Sequence, residues 1–103
     1  MDQPILIRAH LQDGEADIKA LIHHDMETGL RKDAAGKVIP AHFINLVSAT
    51  LNGTPVMQAQ WGIGVSKNPF FEFKVKGAKS GDQLVISAVD NLGMSYSGQT
   101  TLN

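Results

Sequence analysis

Residues 42–61 read HFINLVSATLNGTPVMQAQW, and this stretch decides the fold. On the N-terminal side of Asn52-Gly53, Phe43, Val47, Ala49 and Leu51 fall on one face of an extended chain, with Ile44 and Leu46 on the other. On the C-terminal side, Met57, Ala59 and Trp61 alternate with Val56, Gln58 and Gln60. A period of two residues is that of a β-strand, whose side chains point alternately to the two faces of a sheet. Asn and Gly tolerate positive φ, so Asn52-Gly53 between two such runs predicts a tight hairpin. The first strand is apolar on both faces. A strand of that kind sits inside a sheet, or meets a further surface with its second face.

The same alternation extends in both directions. Ile5, Ile7, Ala9 and Leu11 alternate with Leu6, Arg8 and His10, the stretch DGEA at 13–16 reads as a turn, and Ile18, Ala20 and Ile22 alternate with Asp17, Lys19 and His23. Downstream, Phe71, Phe73 and Val75 oppose Glu72, Lys74 and Lys76. After the turn GAKSGD, residues 83–90 are apolar on both faces, through Leu84, Ile86 and Ala88 and through Val85 and Val89. Asp90-Asn91-Leu92-Gly93 turns the chain into a last strand over 94–102. About seven short antiparallel strands and no amphipathic helix predict an all-β, immunoglobulin-like β-sandwich. With 103 residues, the whole chain 1–103 is one domain with one core. Trp61 and Tyr96 are expected as core and near-core anchors.

Composition removes several function classes. Nine Lys and Arg against ten Asp and Glu leave a net charge of −1, and no basic stripe marks a nucleic-acid binder. No apolar run approaches the length of a membrane-spanning helix. There is no cysteine, hence no thiolate nucleophile and no Cys-based metal site. Residues 1–10 have neither a basic n-region nor an apolar h-region, so no signal peptide is expected.

Catalytic constellations are not legible. No serine stands in a GxSxG setting, no P-loop or GxGxxG occurs, and no cofactor is expected. Gly62 and Gly64 in WGIGVS are expected to bend the chain between strands. Four histidines, His10, His23, His24 and His42, are the available metal ligands. His23 and His24 are adjacent on a strand end and point to opposite faces. A copper site built from His24, Met26 and His10 is the alternative reading, since imidazole and thioether both suit copper. The plain reading places these histidines at strand ends and surfaces, with no metal bound. Asp25, Glu27 and Asp33 sit in a mixed-charge loop where local salt bridges are a simpler expectation than acid–base chemistry.

Residues 25–40 form the longest irregular stretch, and long loops in compact domains are often functional. Within 23–44, HHDMETGLRKDAAGKVIPAHFI, the residues His24, Met26, Glu27, Thr28, Gly29, Arg31, Lys32, Asp33, Gly36, Ile39 and Pro40 resemble the signature loop of the SoxZ family. LNGTPVMQAQW resembles that family's Asn-Gly hairpin, Asn68-Pro69-Phe70 its Asn-Pro-aromatic strand start, and Asp90-Asn91 with Gly93 its tail. Asp25 departs from the pattern, standing where the family has Pro after the His.

The resemblance implies a non-catalytic immunoglobulin-like subunit. Such a subunit pairs with SoxY as the SoxYZ sulfur carrier of bacterial thiosulfate oxidation, and SoxY holds the sulfur intermediate on a cysteine. It implies a heterodimer, transient docking to other sulfur-oxidation enzymes, and a periplasmic location reached by co-export with a signal-bearing partner. Self-association of the isolated chain is also open. The loop His24, Met26, Glu27, Thr28, Gly29, Arg31 and Asp33 is the candidate for partner recognition. Met26 would supply an adaptable contact, and the charges would supply register. Ile44, Leu46, Asn68, Pro69 and Phe70 are candidate interface residues. For the second-face apolar residues Ile44, Leu46, Val85 and Val89, a covering loop of the same chain is the equal alternative.

Overall fold

A computed structural model describes residues 4–103, and its named elements are seven strands. They are β1 (Ile5–Gln12), β2 (Glu15–Ile22), β3 (Ile44–Leu51), β4 (Thr54–Gln60), β5 (Phe70–Lys76), β6 (Gln83–Asp90) and β7 (Ser95–Thr101). Two antiparallel sheets form, one in the order β1-β2-β5 and the other β4-β3-β6-β7. This three-plus-four arrangement is an immunoglobulin-like sandwich.

Turn chemistry sets the hairpins. Asp13 and Gly14 have φ of 53° and 75°, and Asn52 and Gly53 have 51° and 84°. Two consecutive positive values are those of the primed turn whose twist matches paired strands. The first turn is therefore shorter than DGEA: Gln12 already faces Glu15, and β2 begins there.

The core lies between the sheets. Ile5, Ile18 and Ile22 from one side meet Ile44, Val47, Leu84 and Ile86 from the other, all fully buried. Removing such a side chain costs about 2–5 kcal/mol through lost transfer energy and the cavity left behind. Trp61 packs edge-to-face on Phe71, 5.4 Å between centroids, and Tyr96 is half-buried against the core. Where β1 approaches β7, a Cβ at Gly98 would lie 2.7 Å from the Ile5 carbonyl oxygen. Only glycine lets the two sheets meet that closely.

One strand departs from simple alternation. The β3–β6 register shifts between Ile44 and Leu46, and a residue inserted in this way turns the preceding side chain to the opposite face. Ile44 therefore points inward with Val47 and is fully buried, which corrects its reading as an interface residue. Leu46 points outward, half-buried.

The two outer faces differ. The three-stranded sheet shows Arg8, Lys19 and Glu72 in register, then His10, Asp17 and Lys74. The four-stranded sheet shows Ser48, Ser87 and Ser97 in register, flanked by Leu46 and Val89 and by Thr50, Val85 and Gln99. Among the described residues no segment of the chain covers this second face: Gln58, Gln60, Ser97 and Gln99 are exposed.

Candidate functional site

The long loop between β2 and β3 is irregular but pinned. Its stem is a two-bond bridge in which the Glu27 N–H donates to the His42 carbonyl at 2.7 Å and the His42 N–H to the Glu27 carbonyl at 2.9 Å. A second bridge joins Lys32 and Val38. Within the loop, the Thr28 hydroxyl accepts from the Leu30 N–H, and Asp33 Oδ1 accepts from Ala35 and Lys37. These are the local bonds that Thr and Asp offer to turns. Gly29 has φ of 82°, and a Cβ there would stand 3.1 Å from the Ala41 Cβ, so the turn needs glycine.

The stem rests on a buried polar cluster at the end of β6. Asp90 is 2% exposed. Its Oδ2 accepts from the Tyr96 hydroxyl at 2.6 Å and from His42 Nε2 at 2.7 Å, and His24 Nε2 stands 3.5 Å away. Its Oδ1 accepts from the N–H groups of Leu92 and Met94, both at 3.0 Å. Asn91 holds the other strand of the stem, accepting from the Phe43 N–H and donating to the Ala41 carbonyl. One Asp-Asn dipeptide thus ties the β6–β7 turn to the base of the loop.

The electrostatics follow from these bonds. Burial pushes the Asp90 carboxyl upward. Hydrogen bonds from Tyr96, His42 and the two backbone N–H groups outweigh it and hold the group below the usual carboxylate range. Burial and the bond to Asp90 push Tyr96 up to about 12. At the rim, Glu27 is lowered and Arg31 raised by their bidentate pair, with contacts of 2.6 and 3.0 Å.

In His24 and in His42 the ring nitrogen nearest Asp90 is Nε2. One ring nitrogen from each and an Asp90 oxygen lie within 4.8 Å of one another, a spacing that a metal ion can use. The hydrogen bonds around His24 do not fit one. Its Nδ1 accepts from the Met26 N–H at 3.0 Å, so the proton of the neutral ring sits on Nε2. A ligand nitrogen must offer a lone pair there, and moving the proton to Nδ1 would set it against the Met26 N–H. The arrangement is that of a hydrogen-bonded clamp: His24 donates toward Asp90 and lies edge-on to His42 and Tyr96, 4.6 and 5.4 Å between centroids.

The sequence-derived residues divide between this clamp and the loop it carries. His24 and Met26 are buried, at 7% and 5% exposure. Met26 has φ of 52°, and its sulfur accepts from the Ile44 N–H at 3.4 Å. Its position under the loop corrects its reading as an adaptable contact for a partner. His10 lies on β1 opposite Asp17, on the outer face of the three-stranded sheet, so the copper set His24, Met26 and His10 is not brought together. Glu27, Thr28 and Gly29 are half-buried at the rim, while Arg31 and Asp33 are exposed. Asn68, also at positive φ, exchanges two bonds with His24, through its Oδ1 and its own N–H. The Pro69 carbonyl accepts from Ile22. Phe70 is 62% exposed, in register with Leu21. Asp90 and Tyr96 were not singled out from the sequence as site residues, yet one signal was present. Asp90 falls in phase with Leu84, Ile86 and Ala88, and a carboxylate in phase with a buried face requires partners.

The family model described as "Sulphur oxidation protein SoxZ" matches residues 7–101. No curated protein matches the chain. Among solved structures, a point variant of superoxide reductase (neelaredoxin) from Archaeoglobus fulgidus, in its reduced form, is similar. Its TM-score is 0.62 and its identity 18%, over 98% of this chain and 89% of that one. At that identity the likeness is one of fold. The family match spans nearly the whole length, and the chain belongs to the SoxZ family of sulfur-oxidation proteins.

Proposed function

We infer that the chain is the non-catalytic scaffold subunit of a SoxYZ-type sulfur carrier, paired with a SoxY-type subunit that holds the sulfur intermediate on a cysteine. The observation that carries this reading is the family match over residues 7–101. The chemistry of the chain supports it. A covalent sulfur cargo needs a thiolate, and this sequence has no cysteine, so a cargo would ride on another chain. In the His24–Asp90–His42–Tyr96 cluster both Asp90 oxygens, the Tyr96 hydroxyl, His42 Nε2 and His24 Nδ1 are engaged with one another or with the backbone, which suits an anchor better than a catalyst.

In this reading the pinned loop displays Glu27, Thr28, Arg31 and Asp33 to the enzymes that act on the cargo, while the partner's cysteine-bearing segment moves. A rigid loop loses little conformational entropy on docking, and its charges set register. The carrier would work in the periplasm. The test is to purify the tagged chain from its own cells and measure intact masses in the eluate. A stoichiometric partner carrying sulfur or sulfonate adducts on a cysteine is the expected result. A chain that elutes alone, or with metal and no protein, overturns the reading.

A further inference from the structure

We propose that the outer face of the β4-β3-β6-β7 sheet is the surface on which the partner subunit seats, and that the occupant is an uncharged β-sheet face of that partner. The proposal rests on the carrier reading above and adds to it the location and chemistry of the interface.

Charge sets this face apart from the rest of the surface. A soluble domain usually carries charge on about 25–35% of its surface positions. The outer face of the three-stranded sheet follows that habit with Arg8, Asp17, Lys19, Glu72 and Lys74. The outward positions of the four-stranded sheet are Ser, Thr, Gln, Val and Leu, with no Asp, Glu, Lys or Arg among them. Interface cores are depleted of charge in this way, because an ion desolvated without a partner costs several kcal/mol. The same arithmetic specifies the occupant, since a charged surface laid here would find no counter-ion.

Shape points the same way. The in-register serines Ser48, Ser87 and Ser97 make a low central row, which lets an opposing sheet approach to the ~10 Å of sheet-on-sheet packing. Beside it, Leu46 and Val89 with Asn45, Gln60 and Trp61 line an open depression of about 460 Å³, a receptor for a protruding apolar side chain.

Area sets the extent of the seat. Four strands about 4.8 Å apart, each about seven residues long at ~3.3 Å per residue, span roughly 19 by 23 Å. That footprint of roughly 440 Å² is about half of the ~800 Å² per partner of a standard stable interface, so the sheet face supplies the centre of the seat and the flanking loops its margin. Leu46, Val85 and Val89 are half-exposed, and among the described residues no segment lies over them.

The test uses the purified SoxY-type subunit from the same cells as probe, with affinity read by titration calorimetry and stoichiometry by light scattering. The variants are Ser87→Lys and Ser97→Glu on the proposed face, with Arg8→Glu on the opposite sheet as control. Each variant is first checked for an unchanged thermal melt, and the exposed Ser97 guards against a folding defect at Ser87. The expected result is tight binding by wild type and Arg8→Glu, with at least a hundredfold loss in both face variants. If all four bind alike, the location is wrong while the carrier reading survives. If the face variants abolish only self-association, the occupant is a second copy of this chain and the heterologous assignment falls. If wild type does not bind the probe at all, the carrier reading falls and this proposal goes with it.

Discussion

Replacing Asp90 by Asn keeps the shape of the side chain and removes its charge, which isolates what the buried carboxylate contributes. Asp90 Oδ2 accepts from Tyr96 at 2.6 Å and His42 at 2.7 Å, and Oδ1 accepts two backbone N–H groups. A hydrogen bond to a charged group contributes about 1.5–3 kcal/mol, against about 1 kcal/mol for a neutral one. The amide oxygen can still serve Leu92 and Met94, but its NH₂ then faces two donors, so Tyr96 must turn away and His42 must shift its proton. The sum is a loss of about 2–4 kcal/mol at neutral pH, a large share of the roughly 5–15 kcal/mol that holds a domain folded. In urea this appears as a midpoint lowered by about 1–2 M with an unchanged slope.

The pH dependence gives a second reading of the same residue. A carboxyl lowered in the folded state contributes stability that is present above its unfolded value of 3.8 and lost as pH falls below it. Wild type should lose about 1.4 kcal/mol per pH unit there from this group alone, and Asp90→Asn should lack that component. A variant within about 0.5 kcal/mol of wild type at pH 7, or one with the same acid slope, would refute the clamp.

Other substitutions probe the remaining contacts. Tyr96→Phe should cost about 1.5–3 kcal/mol by denaturation, for one charged hydrogen bond. Because Tyr96 is raised to about 12, wild type should also weaken as pH rises from 10 toward 12, and Tyr96→Phe should not share that decline. Gly98→Ala places a methyl against the Ile5 carbonyl and should cost about 1–3 kcal/mol as β1 and β7 are forced apart, seen as a lowered melting temperature. Gly29→Ala, with φ of 82° and Ala41 close by, should cost about 1–2 kcal/mol and raise hydrogen exchange across 27–42. Arg31→Ala breaks an exposed pair with Glu27 and should leave the melting temperature unchanged; any effect should appear only in docking.

Most of the sandwich was legible because its strands obey a period of two and its turns carry Asp-Gly and Asn-Gly. What the pattern could not show was the bulge beside Asn45. A single extra residue leaves no mark in hydropathy, yet it moves Ile44 from the outer face to the core. The loop was legible as a motif and not as a structure. Nothing in HHDMETG says that Met26 takes a positive φ and turns its sulfur to the Ile44 N–H. Nor could local spacing bring His24 to Asp90, sixty-six residues along the chain. Contacts of that range come from the stacking of β2 and β6 in opposite sheets, which only the fold supplies.

The clamp and the loop are one device, and the chemistry of each constrains the other. Leu30, Arg31 and Asp33 of the loop are exposed, so left alone the segment would sample many conformations, and each bound partner would have to bear the ordering cost. That cost is about 1–2 kcal/mol per residue fixed. Instead, the stem bridge at Glu27 and His42 is held from below by His42 on Asp90, and from the side by Asn91 on Ala41 and Phe43. The ordering is therefore done once, on folding. A buried carboxylate suits the task because it accepts from five groups on four segments of chain, counting the longer approach of His24, and a neutral side chain of its size offers fewer acceptor sites. The consequence is testable at the loop itself. Asp90→Asn should raise amide exchange at Glu27 and His42 by at least tenfold while leaving β1 and β5 protected, and uniform exchange across the chain would mean that the cluster supports the sandwich as a whole rather than the loop.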